Sequence, residues 1–392
     1  GLYRTQAMRL LLLLGLLAAT LSQIKGEHTW IPPKRLIGWG EDRHAPALRI
    51  KDSDREKPAR ERPEWIQWRS TVGVKRSYHN TSHEELHARI YEESEIIVAD
   101  NKIAFERGDS SYELALNKFA DMSQEEFGLM GNDGVMGDHV SPNITKSSKF
   151  DVDDGCETTG NADPPYSFDY RSVMDFVGVK DQGWCGSCYA FAAMAVVEAQ
   201  IFLRRVNPPR LFYLSEQYAM DCSRNFRNAQ YGCGGGMSSR VFDWFLQNRR
   251  GVVRGYNYEY TERSSDECPE RELIEDVALI KCWRRFQTND EELVKKVLME
   301  IGPIANAMWR EGPNFHLYKT GIYQSPECNP HGRVDHEVTT IGYGALAGTG
   351  EKFWIIRNSF GPDWGIDGYL WLKRDQNMCG FPNEISYAKI QS

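Results

Sequence analysis

Two cysteines three positions apart, Cys185 and Cys188, stand in the run QGWCGSCYAFA from Gln182 to Ala192, and an apolar, helix-forming stretch continues from there to about Leu203. A helix that starts near Cys188 sets that thiol among unsatisfied backbone N–H groups at the positive end of the helix dipole, which favours the thiolate. The thiolate, not the thiol, is the nucleophile. Gln182, upstream across a glycine turn, can aim its amide at the point reached by the Cys188 N–H, so that two donors cradle an oxyanion. This is half of an acyl-transfer site.

A C-x-x-C pair more often serves as a zinc half-site or a redox dithiol. Zinc needs a second ligand pair at metal spacing. The other cysteines stand apart and no histidine pair is read as supplying one, so neither a metal nor a cofactor is expected. A thioredoxin-like dithiol needs a preceding strand and a cytosolic setting, and neither fits. The segment resembles the active-site signature of papain-family cysteine proteases. The resemblance implies Cys188 as nucleophile, Gln182 as oxyanion-hole side chain and Cys185 as half of a structural disulfide.

A thiolate nucleophile needs a proton carrier for the leaving amine, and imidazole titrates in the right range. His336, in VDHEV, opens a strand ending in IGYG and resembles the family's catalytic histidine. In WIIRNSFGPDWG the resemblance makes Asn358 the residue that orients the imidazole, while Phe360 and Trp364 keep water off that contact and so strengthen it. Phe360 and Tyr189 stand where the family usually has tryptophan. A thiolate and imidazolium pair of Cys188 and His336 is therefore expected.

The same resemblance implies the bridges Cys185–Cys233, Cys222–Cys268 and Cys328–Cys379, leaving Cys156 and Cys282 to pair with each other across a maturation boundary. It lines the S2 specificity pocket with Met237, Ser238, Ala307, Val334 and Glu337, with Glu384 at its base, and sets Gly235, Gly236, Asp335 and Trp364 along the substrate groove. Glu384 falls where cathepsin B-like enzymes carry Glu; Glu337 falls where Ala or Gly is usual. Two carboxylates facing one pocket repel and raise the pKa of at least one. Acceptance of Arg or Lys at P2, beside hydrophobic residues, is expected to strengthen as pH rises, unless Glu337 swings out to solvent.

Positioning these residues takes two lobes. Helical patterns come first: LSEQYAMDC to Cys222, the glycine turn Gly232–Gly236, and an amphipathic helix around Val241 to Leu246. Beyond Gly302-Pro303 short alternating strands follow, as in HEVTTIGYG and KFWIIRNSF. This is an α+β pattern with a cleft between lobes. By resemblance residues 161–392 form a papain-like two-lobe peptidase domain, with a helical left lobe and a β-barrel-like right lobe, behind a helical inhibitory propeptide.

That propeptide is read from a long amphipathic helix between about Ser82 and Phe105. In zymogens of the cathepsin L branch such a helix carries a spaced E, R, F, N, I, N pattern. Here Ile90, Ile97 and Asn101 fit it, while His83, His87 and Glu93 stand in place of Glu, Arg and Asn. Ala115 to Asp121 resembles the second propeptide motif, with Ala115 for glycine. Residues 81–160 are read as the inhibitory domain and 27–80 as a charge-rich, extended N-terminal extension, its Trp30, Trp39, Trp65 and Trp68 docking elsewhere. Gly131 to Pro165 has loop composition, and maturation cleavage is expected between about Lys149 and Pro165.

Met8-Arg9 followed by the apolar run Leu10–Ala19 reads as a signal peptide over residues 8–26. Nine cysteines in an exported chain imply disulfides plus an unpaired thiol. Asn80 and Asn143 head glycosylation sequons. A net charge of -8 argues against a nucleic-acid partner, and no later segment is a membrane span. The expected protein is a monomeric lysosomal or extracellular cysteine endopeptidase, since no insertion like cathepsin B's occluding loop follows the glycine turn. Its partners are peptide and protein substrates, its own propeptide and cystatin-type inhibitors. The alternatives are an aminopeptidase with a disulfide-tethered propeptide remnant and a secreted pseudoenzyme that binds without cleaving.

Overall fold

A computed structural model describes residues 57–72, 76–130, 150–152, 156–204, 212–228, 230–270, 275–310, 314–326, 328 and 334–391. The signal segment, Trp30, Trp39, Asn143 and residues 131–149 and 153–155 around the expected cleavage region lie outside them.

Helix α1 (Pro63–Thr71) forms where the charge-rich composition suggests extended chain. Proline at its first position is pre-set for a helix start. Trp65 and Trp68 stack 5.3 Å apart on one side of it and close on Tyr91 at 5.7 and 4.9 Å. Burying a large apolar side chain is worth about 1.5–3 kcal/mol, so the two tryptophans hold a helix that its own propensity would not. Their partner, α2 (Thr81–Arg107), starts on the Asn80 side chain, which accepts the His83 N–H at 2.9 Å, and stops at Gly108 with φ 80°. Asn101 then fastens β1 (Tyr112–Leu114) to α2, giving its amide to the Tyr112 carbonyl at 3.2 Å and taking the Leu114 N–H at 2.7 Å. Helix α3 (Gln124–Leu129) opens with a reciprocal Ser123 and Glu126 capping box.

After β2 (Phe150–Val152) and β3 (Phe168–Asp169) comes α4 (Cys188–Leu203), buried almost all round. An all-apolar helix needs neighbours on every side, and α4 packs against α5 (Glu216–Cys222) and α6 (Ser238–Asn248) as well as the sheet. The remaining elements are β4 (Gly251–Val252), β5 (Ala278–Gln287), α7 (Glu291–Ile301), β6 (Ile304–Met308), β7 (Tyr318–Tyr323), β8 (His336–Ala345), β9 (Lys352–Arg357), β10 (Tyr369–Lys373) and β11 (Glu384–Ile390). The main path of the sheet runs β1-β7-β10-β9-β8-β6-β11-β5-β2. Its first and last strands come from the N-terminal part, Tyr112 opposite Gly321 and Phe150 opposite Phe286. Strand β5 lies inside the stretch that the sequence assigns to the helical half.

Four disulfides are present: Cys185–Cys233, Cys222–Cys268, Cys328–Cys379 and Cys156–Cys282. The last joins a residue near the expected cleavage region to β5. Cleavage C-terminal to Cys156 therefore leaves a fragment attached. Intact mass of processed protein should exceed the mass after reduction by that fragment; equal masses apart from reduced thiols would place cleavage before Cys156 or leave no tether.

Candidate active site

Helix α4 begins at Cys188, directly after Ser187, so the thiol sits on its first turn. Cys188 is fully buried and is the free cysteine among the described residues. Its Sγ accepts the Glu337 N–H at 3.5 Å, which puts it beside the first residues of β8. Gln182 is held from three directions. Its backbone N–H donates to Ser359 O at 2.8 Å, its Oε1 takes the Ser359 hydroxyl at 2.6 Å, and its Nε2 donates to Cys185 O at 2.9 Å.

His336, the first residue of β8, meets Asn358 Oδ1 through Nε2 at 2.8 Å. The Ser359 N–H also donates to that oxygen, at 2.9 Å, fixing the amide. Phe360 lies nearly parallel to the imidazole at 5.0 Å and Trp364 meets Phe360 edge-on at 5.4 Å. Water is thus kept from the histidine–asparagine contact.

The N-terminal part closes over this constellation. Gln182 Nε2 also reaches Met130 O, at 3.5 Å, so a peptide carbonyl of the chain's own N-terminal part lies against the candidate oxyanion donor. Phe119 and Phe127 pack on Phe360 at 5.3 and 5.8 Å, and Phe127 also covers His316 at 5.3 Å. Arg310, fully buried, donates to Gly128 O at 2.8 Å while its guanidinium lies 4.4 Å from the Phe127 ring. Asn117 donates to His316 O at 2.8 Å, and Lys118 pairs with Asp181.

Burial has an electrostatic consequence. It pushes the Cys188 thiol up to about 12, with the Glu337 and Asp335 carboxylates adding to it. Burial and then the Arg310 charge take His336 down to about 3. His336 Nδ1 has no hydrogen-bond partner among the described residues. The closed molecule thus differs from the expected thiolate and imidazolium pair: it holds a neutral thiol and a neutral ring, because a charge there would be cut off from water.

In the candidate S2 pocket the sheet register sets Glu337, Ala307 and Glu384 in a row across β8, β6 and β11. Glu337 is buried and not turned to solvent, its carboxylate taking the Ser238 N–H at 3.0 Å. Burial first, and the Glu384 charge after it, raise Glu337 to about 8. Glu384 is met by Arg285 at 2.6 Å, a partner on β5 that no motif marks. Val334, Asp335, Met237 and Ser238 are buried nearby; Asp335 takes the Arg310 N–H at 2.8 Å, and Met237 is bound by Gln230. Gly236 has room for no side chain, since a Cβ would come within 2.7 Å of the Tyr189 ring.

A papain family cysteine protease profile matches residues 164–389, and a cathepsin propeptide inhibitor profile matches 65–127. This chain belongs to the papain family of cysteine proteases. Among curated relatives, a cathepsin L-like peptidase of Aedes aegypti is 31% identical, the alignment covering 81% of this chain and 90% of the relative. Human cathepsin L2 is 30% identical over 83% of this chain and 92% of its own. Among solved structures, digestive procathepsin L 3 from the Tenebrio molitor larval midgut superposes with a TM-score of 0.69 at 27% identity, covering 83% of this chain and 98% of that one. The fold is accordingly that of a procathepsin L, a papain-like peptidase with a helical propeptide.

Sequence reasoning passed over Arg310 and His316, which no motif marks. It also passed over a pattern that was in plain view. His79, His83 and His87 recur every fourth residue, and the absence of a histidine pair at metal spacing is corrected by the sequence itself. Among the described residues His83, His87 and Glu126 bring ligand atoms within 4.8 Å of one another.

Proposed function

We propose that the chain is made as an autoinhibited proenzyme and, once the propeptide leaves, cleaves internal peptide bonds with Cys188 as nucleophile and His336 as proton carrier. Cys188 Sγ adds to the peptide carbonyl carbon while Gln182 Nε2–H and the Cys188 N–H hold the oxyanion. His336 gives its proton to the leaving amine, and then takes one from the water that hydrolyses the thioester. Asn358 keeps the ring turned toward the sulfur. The observation that carries the reading is the Met130 carbonyl against Gln182 Nε2, an uncleaved peptide group lodged in the site by its own chain. Acid-processed protein should take up one equivalent of the epoxide E-64 on Cys188. Processed protein that stays unlabelled, with its thiol intact, would contradict the reading.

A papain-family enzyme can also be trimmed to an aminopeptidase by a tethered remnant, and the Cys156–Cys282 bridge supports that second reading. An internally quenched peptide with a blocked N-terminus separates them, because only an endopeptidase cleaves it. Four disulfides favour an oxidising compartment, so we place the enzyme in the secretory pathway, delivered to lysosomes or secreted, acting as a monomer and open to cystatin-type inhibitors. No helix among the described residues is long and apolar enough to cross a membrane.

For substrate choice the burden shifts from Glu384, already countered by Arg285, to Glu337. A group raised to about 8 is neutral at pH 5.5 and ionises as pH rises through 8. The ratio of kcat/KM for Arg over Leu at P2 should rise about tenfold between those values, the scale expected for a single charge pair worth roughly 1.4 kcal/mol, and Glu337→Gln should flatten it. A ratio that ignores pH, or that follows Glu384→Gln instead, would show the pocket is read differently.

A further inference from the structure

We propose that His83, His87 and Glu126 form a binding site for one divalent transition-metal ion of the zinc class, clamping α2 to α3. His87 Nε2 lies 3.1 Å from His83 Nε2 and 3.3 Å from Glu126 Oε1. Ligands about 2.05 Å from a tetrahedral zinc are about 3.3 Å from each other, so two edges of the ligand triangle are already at the required length.

The surroundings hold each donor in the right state. His87 is buried, and its Nδ1 lies 2.7 Å from the Asp121 carbonyl oxygen. With its proton on Nδ1 the ring donates to that carbonyl, at a shorter distance than the Arg76 guanidinium that competes for the same nitrogen at 3.1 Å, and the Nε2 lone pair faces the cluster; a carbonyl behind the ring is the partner that metal-bound histidines use. Glu126 has its Oε2 tied to the Ser123 N–H at 2.9 Å by the capping box, which leaves Oε1 for the ion. His83 is half-buried, so water can supply a fourth ligand. Its Nδ1 takes the His79 N–H at the long distance of 3.4 Å. Binding shifts the His83 proton from Nε2 to Nδ1 and gives up that contact. Without an ion, the same atoms form a histidine–histidine hydrogen bond and a histidine–glutamate contact.

Helix α3 leads directly into Met130, so an ion here braces the segment lying against Gln182. A bound ion takes the lone pairs of the two ring nitrogens. The charged and titratable groups facing them are Arg76, 3.1 Å from His87 Nδ1, Asp121, whose Oδ2 is 3.6 Å from it, Tyr78, bonded to that Asp121 oxygen, His79, one turn earlier, and Glu126 itself. The site stands on these residues alone, whereas its effect on activation rests on the autoinhibited-proenzyme reading.

The test uses untagged, full-length Cys188→Ala proenzyme, which has no catalytic thiol to bind metal, stripped with chelator and titrated with Co2+ and Zn2+ at pH 7.5. One equivalent of Co2+ should give the visible ligand-field absorption of a tetrahedral ion. Zn2+ at a hundredfold excess over Kd should raise Tm by about 5 °C. Both effects should weaken about 100-fold or more in His83→Ala, whose side chain is partly exposed, and in Glu126→Gln, two independent variants of which either suffices if the other misfolds. No absorption band and no Tm shift at millimolar metal, or unchanged binding in a folded variant, overturns the site. None of these readouts uses peptidase activity, so failure of the proteolytic reading would be seen separately, by E-64.

Discussion

Cys188→Ala proenzyme should fold and lose peptidase activity on the order of 10⁶-fold in kcat, the scale on which removing the nucleophile alone collapses a catalytic unit. Two features make the expected loss this complete. Of nine cysteines, eight are in disulfides, so no second thiol stands in the site. The donors around Gln182 and the His336–Asn358 pair have no other nucleophile to serve. Folding should survive because the change removes one sulfur from a site that the Glu337 N–H and solvent-free packing otherwise define. The measurement is hydrolysis of a fluorogenic peptide after processing by immobilised wild-type enzyme that is then removed. Residual activity within about a hundredfold of wild type would mean that the chemistry is carried elsewhere.

The proenzyme thiol should be nearly inert to iodoacetamide at pH 6, reacting at least about 1,000-fold slower than the processed enzyme, because thiolate fraction governs alkylation and outweighs the lower nucleophilicity of an acidic thiol. In the closed form the thiol is pushed up to about 12 and the imidazole down to about 3, so the neutral pair persists across the working range. His316, covered by Phe127, is held down to about 4, by burial first and by Arg310 second. A histidine whose pKa is depressed in the closed form lends stability that is full above its ordinary value of 6.5 and is lost as pH falls through the depressed one. Closure should accordingly weaken from pH 6.5 down to about 4 through His316, with His336 extending the loss toward 3. Quenched alkylation followed by peptide mass mapping, run across that range, checks both points. A proenzyme thiol as reactive as the processed one would remove the basis for autoinhibition by burial.

The candidate catalytic half of this molecule was written locally. QGWCGSC, VDHEV and RNSFGPDW each carry a residue of the candidate site inside a short motif, and α4 follows from a mostly apolar run, interrupted by Glu198 and Gln200, whose first residue is the thiol. The long amphipathic repeat of α2 was equally plain, because its period is a property of one segment. What the sequence hid is non-local. Trp65 and Trp68 make α1 a helix only because Tyr91 lies opposite. Strand β5 is a strand because β11 pairs along it, and Arg285 meets Glu384 across that same register. Arg310 and His316 acquire their roles only when residues 117–130 fold back on them. The histidines of α2 are a different case: their spacing was legible, and what was missing was Glu126, brought to them by the turn after Asp121.

Opening the site should convert a neutral Cys188 and His336 into an ion pair. The direct measurement is the pH dependence of Cys188 alkylation in the processed enzyme, with His336→Ala beside it. The inflection should fall at roughly pH 3–4, as precedented for a histidine-paired thiol, and should move to about pH 8.5, the value of an unassisted cysteine, when His336 is removed. A wild-type profile already rising near pH 8.5, and unmoved by loss of His336, would contradict it.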